Sequence, residues 1–279
     1  MLLAARNGFV AVTTTPPTPA DWGLCFTAEE PNVVVNMTKT GSPPAVTLET
    51  STNGVTWTAF DAAGGTTPIA LANIGDKAYF RAGASGNTSF GGLRAYYRFT
   101  FSGLCAASGD ISSILNADSQ VLALTGTYTF RSLFSGCTSL TKASELPATT
   151  LAQSCYMSMF NGCTSLTTPP GTLPAANAVG NVYNQMFSGC SSLAKSPKIL
   201  ATTFGSNSCS KMFYNCEQMN ELEIWCSEWP SSLLSATADW LYGVAASGTF
   251  RCPTALGTEE TISRGNNYCP TGWIVVNTD

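Results

Sequence analysis

The second half of the chain repeats itself every 26 or 27 residues. Each copy carries a phenylalanine, a cysteine three places later, and a leucine or methionine three places after that. The twelve repeat positions are Phe134, Phe160, Phe187, Phe213, Cys137, Cys163, Cys190, Cys216, Leu140, Leu166, Leu193 and Met219. A period of roughly 20 to 50 residues is typical of solenoids, because each repeat buries its apolar face against its neighbours. The repeat therefore predicts a solenoid in which these twelve side chains form a structural ladder.

Apolar residues within each repeat recur at a spacing typical of a short helix. In residues 150–162 the apolar positions that share one helical face are Leu151, Cys155, Tyr156, Met159 and Phe160. The residues that start three successive repeats, all of N-cap type, are Thr150, Asn177 and Thr203. The residues that follow the apolar runs, and that tolerate the left-handed conformation ending many helices, are Gly136, Gly162, Gly189 and Asn215. We therefore predict one short strand and one short helix in each repeat.

The repeats resemble BspA-like leucine-rich repeats, which occur in surface proteins of gut Bacteroides-type bacteria and of their phages. The resemblance rests on the F-x-[GN]-C-x-x-[LM] motif and on the segments 146–160, 173–187 and 199–213, which all end in Met-Phe. It covers residues 110–226 and extends more loosely to the C-terminus. It implies a short α/β leucine-rich-repeat solenoid with a C-terminal cap, used for binding or display and not for catalysis. Leu200, which stands where earlier repeats have proline, implies a degenerate last turn.

The first part of the chain follows a different pattern. Residues 1–21 contain Pro16, Pro17 and Pro19, which favour an extended arm. From residue 22 to residue 108, short β-prone runs alternate with turn residues, and the pair Asn53 and Gly54 predicts a type I′ hairpin. About seven strands in roughly 85 residues predict an Ig-like β-sandwich. The predicted domains are thus an arm (1–21), a β-sandwich (22–108), a solenoid of about four repeats (109–226) and a cap (227–279).

Composition excludes several classes of function. The chain has no histidine, which excludes Ser-His triads, Cys-His dyads and HExxH zinc sites. Charged residues make up only 11% and the formal net charge is -4, so no basic surface is expected to bind nucleic acid. No stretch approaches the roughly 18 apolar residues that a membrane-spanning helix needs. We therefore expect no nucleic acid partner, no membrane span and no cofactor.

The eleven cysteines leave three interpretations. A zinc site favours close pairs such as CxxC, whereas the nearest pairs, Cys155 with Cys163 and Cys209 with Cys216, are eight and seven residues apart. A disulfide favours a Cβ separation of about 3.8 Å, and residues stacked at a strand spacing of about 4.8 Å miss it. Free cysteine packs as a small apolar side chain. The pattern therefore favours a reduced, buried ladder over a metal site or a disulfide.

Two further groups of residues have a functional and a structural interpretation. The neighbouring acidic pairs Glu29 and Glu30, and Glu259 and Glu260, could supply two carboxylates for glycoside hydrolysis, although neighbours in sequence rarely converge on one bond. The tryptophans near the C-terminus, which could stack on sugars, are Trp225, Trp229, Trp240 and Trp273. We favour the structural interpretation, in which the tryptophans seal the end of the solenoid.

The resemblance implies a place on a bacterial envelope or on a phage particle. The N-terminus lacks the basic start and apolar run of a secretory leader, which favours the phage particle. We expect a non-enzymatic virion structural protein, such as a head fibre, capsid decoration or tail component, at the virion surface. The alternatives are a bacterial cell-surface leucine-rich-repeat adhesin and a glycan-active enzyme.

The expected partners follow from this arrangement. The N-terminal arm and β-domain would attach the protein to other virion structural proteins. The solenoid would contact a host-surface protein or glycan. The sequence also leaves open whether the protein forms a homo-oligomer.

Overall fold

A computed structural model describes residues 23–63, 68–229 and 233–278. The predicted proline-rich arm, residues 1–21, lies outside the described residues. The regular secondary structure of the described residues is almost entirely β strand, with one 3-10 helix (Ile111–Ile114) and one single-turn α-helix, α1 (Leu233–Ala236).

Eight strands form the N-terminal region. They are β1 (Cys25–Ala28), β2 (Val33–Thr40), β3 (Leu48–Ser51), β4 (Thr58–Phe60), β5 (Ile69–Leu71), β6 (Lys77–Ala82), β7 (Tyr96–Phe101) and β8 (Cys105–Ser108). One antiparallel sheet has the order β8-β1-β6-β3-β4, and the other has the order β5-β2-β7. The two sheets share a phenylalanine core, in which the ring of Phe99 lies 4.8 Å from Phe26 and 5.1 Å from Phe80.

The Ig-like order predicted for this region is not confirmed. In the immunoglobulin fold the first strand pairs with the second and the last with the sixth. Here β1 pairs with β6 and β8, so neither the first nor the last of the eight strands has the partner that the Ig-like order requires. Strand β7 pairs with β2 and lies against the solenoid, where the Phe99 amide donates to the Leu133 carbonyl at 2.8 Å.

The predicted type I′ turn at Asn53 and Gly54 is wrong, although β3 and β4 do pair as a hairpin. Six residues, 52–57, separate the two strands, and of the two predicted turn residues only Gly54 has a positive φ, 73°. The loop is closed by side chains instead. Ser51 Oγ accepts from the Gly54 amide at 2.9 Å, and Asn53 Oδ1 accepts from the Thr56 amide at 2.8 Å.

The predicted solenoid is confirmed, with about six turns in residues 123–277. Its strands are β9 (Ala123–Leu124), β10 (Leu140–Lys142), β11 (Thr150–Leu151), β12 (Thr172–Leu173), β13 (Asn177–Ala178), β14 (Lys195–Ile199), β15 (Thr203–Phe204), β16 (Glu221–Ile224), β17 (Gly248–Cys252) and β18 (Trp273–Asn277). The largest sheet is parallel, in the order β12-β14-β16-β17-β18. This sheet continues beyond residue 226, because β17 and β18 lie within the predicted cap.

The α/β character predicted for the repeats is wrong, because residues 123–229 contain no helix. Left-handed residues recur at every fourth position instead, as at Ser154, Ser158 and Gly162 with φ values of 60°, 55° and 72°. Backbone amides along this segment alternate between a hydrogen bond within the turn and a hydrogen bond to the next coil. The Met159 amide closes a turn onto the Tyr156 carbonyl at 3.2 Å, whereas the Phe160 amide reaches the next coil at 2.8 Å. An α-helix has no positive φ and bonds each amide four residues back.

The predicted helix ends therefore have other roles. The three predicted N-cap residues begin strands β11, β13 and β15 and are Thr150, Asn177 and Thr203. The left-handed conformation predicted after the apolar runs is observed, at φ values of 74°, 72°, 75° and 57° for Gly136, Gly162, Gly189 and Asn215. These residues close a row of tight turns and do not end a helix.

The N-terminal region forms the first rung of the solenoid. Strand β10 pairs in parallel with β8, and the Cys105 amide donates to the Ser139 carbonyl at 3.0 Å. The ring of Phe99 stacks on Phe134 with centroids 5.5 Å apart. A single hydrophobic core runs from Leu24 to Trp273 without interruption. The β-domain thus covers the apolar end that a solenoid must shield from water.

Candidate binding surface

The structure buries all twelve ladder residues, and the most exposed of them, Cys137, is only 5% accessible. The phenylalanine rings stack nearly parallel along the coil axis, with centroid separations of 5.4, 5.3 and 5.5 Å from Phe134 to Phe213. A second aromatic stack runs beside it through Phe130, Tyr156 and Tyr183. These stacks fill the core and leave no ladder side chain on the surface.

Each ladder cysteine makes the same hydrogen bond. The thiols of Cys163, Cys190 and Cys216 donate to the phenylalanine carbonyl of the preceding coil at 3.1, 3.1 and 3.0 Å. Cys137 makes the equivalent bond to Phe99 in β7 at 2.9 Å. All eleven cysteines are buried free thiols, including Cys25, Cys105, Cys252 and Cys269.

Burial also sets the protonation of these thiols. It raises the pKa of Cys137 to about 12, although the nearby Arg98 opposes the shift, and it raises the pKa of Cys216 to about 12. A thiol must lose its proton before it can act as a nucleophile or bind a metal. The described residues contain no group of three or more Cys, Asp or Glu side chains placed to hold a metal ion. Burial and the raised pKa therefore keep the Cys137 and Cys216 thiols protonated inside the core.

The acidic pairs singled out in the sequence are engaged by separate partners. Glu29 Oε2 accepts from the Thr141 hydroxyl at 2.7 Å. Glu259 forms an ion pair with Arg264 at 2.5 Å and accepts from the Val275 amide at 2.6 Å. The Glu29 carboxylate thus links the N-terminal region to β10, and the Glu259 carboxylate links the segment before β18 to β18 itself.

The four tryptophans divide into two groups. Trp240 and Trp273 are 0% and 1% exposed, and Trp229 packs edge-on against Trp240 with ring centroids 6.3 Å apart. The indole of Trp273 donates to the Ala245 carbonyl at 2.8 Å. These three lie at the C-terminal end of the core. Trp225 differs, since 39% of it is exposed.

Next to Trp225 lies a cluster of charges on the outward side of β14, β16 and β17. We call it the charged face, and its residues are Lys195, Lys198, Glu221, Glu223 and Arg251. They are five of the chain's 13 basic and 17 acidic residues. The register places Lys195 beside Glu221, and Lys198 beside Glu223. Within the charged face, three cations face two carboxylates.

Ion pairs fix the geometry of the charged face. Lys195 Nζ lies 2.9 Å from Glu221 Oε2, and Arg251 Nε lies 3.4 Å from Glu221 Oε1. The hydrogen bond from Lys195 lowers the pKa of Glu221. Burial acts to raise the pKa of Glu223, but hydrogen bonds from Trp225 and Lys198 outweigh it, so this pKa is lowered as well. Both carboxylates are thus held in their charged form.

Trp225 is held in a fixed orientation at the border of the charged face. Its indole Nε1 donates to Glu223 Oε1 at 2.9 Å, and Lys198 Nζ lies 3.1 Å from the same oxygen. Lys198 Nζ also lies 4.5 Å from the centroid of the ring. An exposed indole held beside charged groups can stack on a ligand ring while those groups bind its polar atoms. This surface is the candidate binding site.

Sequence reasoning found Trp225 but missed the charged face. Lys195 and Glu221 are 26 residues apart, which is one repeat period, so the repeat register already places them on adjacent coils. The apolar spacing predicts helices in the turn segments and gives no register for the outward strand positions. Aligning those positions between coils by the repeat period would place Lys195 beside Glu221.

Among the described residues, no helix is long and apolar enough to cross a membrane. Comparisons of the chain with protein-family models, with curated proteins and with solved structures found no match.

Proposed function

We propose that this protein is a non-enzymatic structural component of a phage particle, displaying a leucine-rich-repeat type of solenoid at the virion surface. The observation that carries the proposal is the set of eleven buried free thiols. Disulfides form and persist in oxidising compartments, whereas the cytosol keeps thiols reduced. A virion protein folds in the host cytosol, while an exported adhesin passes through a compartment where unpaired cysteines are a liability. The free thiols therefore support the virion over the adhesin.

The two parts of the molecule take different roles in this proposal. The N-terminal region covers the first coil and would attach the protein to other virion structural proteins. The charged face and Trp225 would contact a protein or glycan of the host surface. The fixed orientation of Trp225 supports this role, because a side chain already held in place loses less conformational entropy on binding.

A localisation experiment tests the proposal. Particles released by host lysis would be purified on a density gradient, and the cell envelope would be purified from an uninfected culture of the same host. Quantitative mass spectrometry would then measure peptides of this chain in both fractions. We expect the peptides to copurify with the particles in constant ratio to the major capsid protein. Recovery in the envelope fraction alone would overturn the proposal and favour the bacterial adhesin.

A further inference from the structure

Among the strands that the structure describes, none covers one edge of β18, the last strand of the solenoid. Its other edge pairs with β17, and the Thr278 amide donates to the Cys252 carbonyl at 3.1 Å. Because successive residues of a strand point their backbone groups to opposite edges, Trp273, Val275 and Asn277 face away from β17. An uncovered edge of this kind is a template for pairing with another chain.

Two side chains occupy this edge. Arg264 Nη1 donates to the Trp273 carbonyl at 2.5 Å, and Glu259 Oε2 accepts from the Val275 amide at 2.6 Å. Arg264 and Glu259 also form an ion pair with each other at 2.5 Å. We call these two residues the edge clasp. They supply one donor and one acceptor to backbone groups that a neighbouring strand would otherwise bond.

The segment that carries the edge clasp is built into the fold. Residues 253–272 connect β17 to β18, and within this segment Leu256 and Ile262 pack into the core at 7% and 6% exposure. The Asn277 side chain donates to the Gly257 carbonyl at 3.0 Å. The connection is therefore anchored just before Glu259, at Leu256 and Gly257, and between the two clasp residues, at Ile262.

We propose that the edge clasp prevents β18 from pairing with the β18 of a second copy of this chain. The occupant of an opened edge would be the same strand in an antiparallel, two-fold arrangement. Such a pair is self-complementary, because each copy offers the Trp273 carbonyl and the Val275 amide that the clasp normally engages. Ile274, which is 59% exposed beside this edge, adds apolar area to such a contact. The inference does not depend on the proposed function.

The test compares association states by sedimentation velocity over a range of concentrations. Glu259→Ala and Arg264→Ala each open the edge clasp. Glu260→Ala is the matched control, since Glu260 is adjacent and exposed and its carboxylate accepts only from the Thr258 hydroxyl, at 3.4 Å, among the contacts described. We expect both clasp variants to form, as the concentration rises, a species of twice the wild-type mass. The control should keep the wild-type mass.

A charge swap distinguishes the edge clasp from an ordinary surface ion pair. In the double variant Glu259→Arg with Arg264→Glu the ion pair can form, but a donor now faces the Val275 amide and an acceptor faces the Trp273 carbonyl. We expect the swapped variant to double in mass like the single variants. Wild-type mass in the swap or in both single variants would overturn the proposal. Protection of the eleven cysteines from a thiol reagent would show in each case that the variant is folded.

Discussion

The thiol of Cys163 donates a hydrogen bond to the Phe134 carbonyl of the preceding coil at 3.1 Å. The same carbonyl accepts from the Cys137 amide at 3.0 Å, so both of its lone pairs are engaged. The bond recurs at every rung of the ladder. It explains why cysteine occupies a position that a small apolar residue such as alanine would also fit.

Replacing the thiol should therefore lower the free energy of unfolding by more than the loss of side-chain volume alone would. We expect Cys163→Ala to lower the free energy of unfolding by about 1 to 2 kcal/mol, because the variant loses a buried hydrogen bond and leaves a small cavity. Urea denaturation followed by tryptophan fluorescence would measure the change. Thr164→Ala is the control, since Thr164 is exposed and should change stability by less than about 0.5 kcal/mol. Equal values for the two variants would contradict the structural role of the bond.

The buried thiols also predict how stability depends on pH. Burial raises the pKa of Cys137 and of Cys216 from an ordinary value of 9.0 to about 12. Between these values the unfolded chain loses the thiol proton while the folded chain keeps it. The stabilisation is complete below about pH 9 and is lost as the pH rises toward 12, by up to about 1.4 kcal/mol per pH unit for each thiol.

Urea denaturation at half-unit steps from pH 7 to 11 would measure this dependence. We expect a plateau followed by a decline that begins near pH 9. The double variant Cys137→Ala with Cys216→Ala should decline less steeply than the wild type, because two of the titrating groups are gone. An unchanged slope would show that these thiols do not titrate as the structure indicates.

The sequence predicts the solenoid and the residues of its ladder because the period and the apolar positions are explicit in it. It misleads about the helix for a physical reason. Buried pairs such as Cys155 with Tyr156 and Met159 with Phe160 recur every four residues, and over two or three turns this is nearly the 3.6-residue period of a helix. The sequence does not predict the contacts of the edge clasp, because they depend on how residues 253–272 fold over β18.

The row of tight turns can be distinguished from a helix by one substitution. Ser158 has a φ of 55°, a left-handed conformation that is unfavourable for a residue with a Cβ and accessible to glycine. We expect Ser158→Gly to raise the free energy of unfolding by about 0.5 to 1 kcal/mol. In a helix the same change would lower it by a similar amount. Chemical denaturation measures whether Ser158→Gly raises or lowers the free energy of unfolding, and Gln153→Gly is the control.

Gln153 is an exposed residue of the same turn segment, and its φ is negative. Glycine at this position gains no conformational relief and adds freedom to the unfolded chain, so we expect it to destabilise the protein. If Ser158→Gly and Gln153→Gly both destabilise, the left-handed assignment of Ser158 is wrong.

The candidate binding surface makes its own prediction. If Trp225 contacts a host-surface glycan, Trp225→Ala should weaken binding to an immobilised mucin glycoprotein by about tenfold or more, as central aromatic contacts generally do. The side chain is 39% exposed, so unfolding stability should change little. Surface plasmon resonance on a mucin-coated chip would measure the binding. Tyr242→Ala is the matched control, because Tyr242 is a 45% exposed aromatic residue that stacks on Tyr214, away from the charged face.

The charged face gives the second arm of the same experiment. Lys198 helps to orient the Trp225 ring through Glu223, so Lys198→Met should weaken mucin binding although the protein still carries the indole. Loss of binding in Trp225→Ala and Lys198→Met together, with Tyr242→Ala unchanged, is the expected result. Equal losses in all three would point to non-specific adhesion. Wild-type binding that none of the three variants reduces would exclude this surface as the contact site.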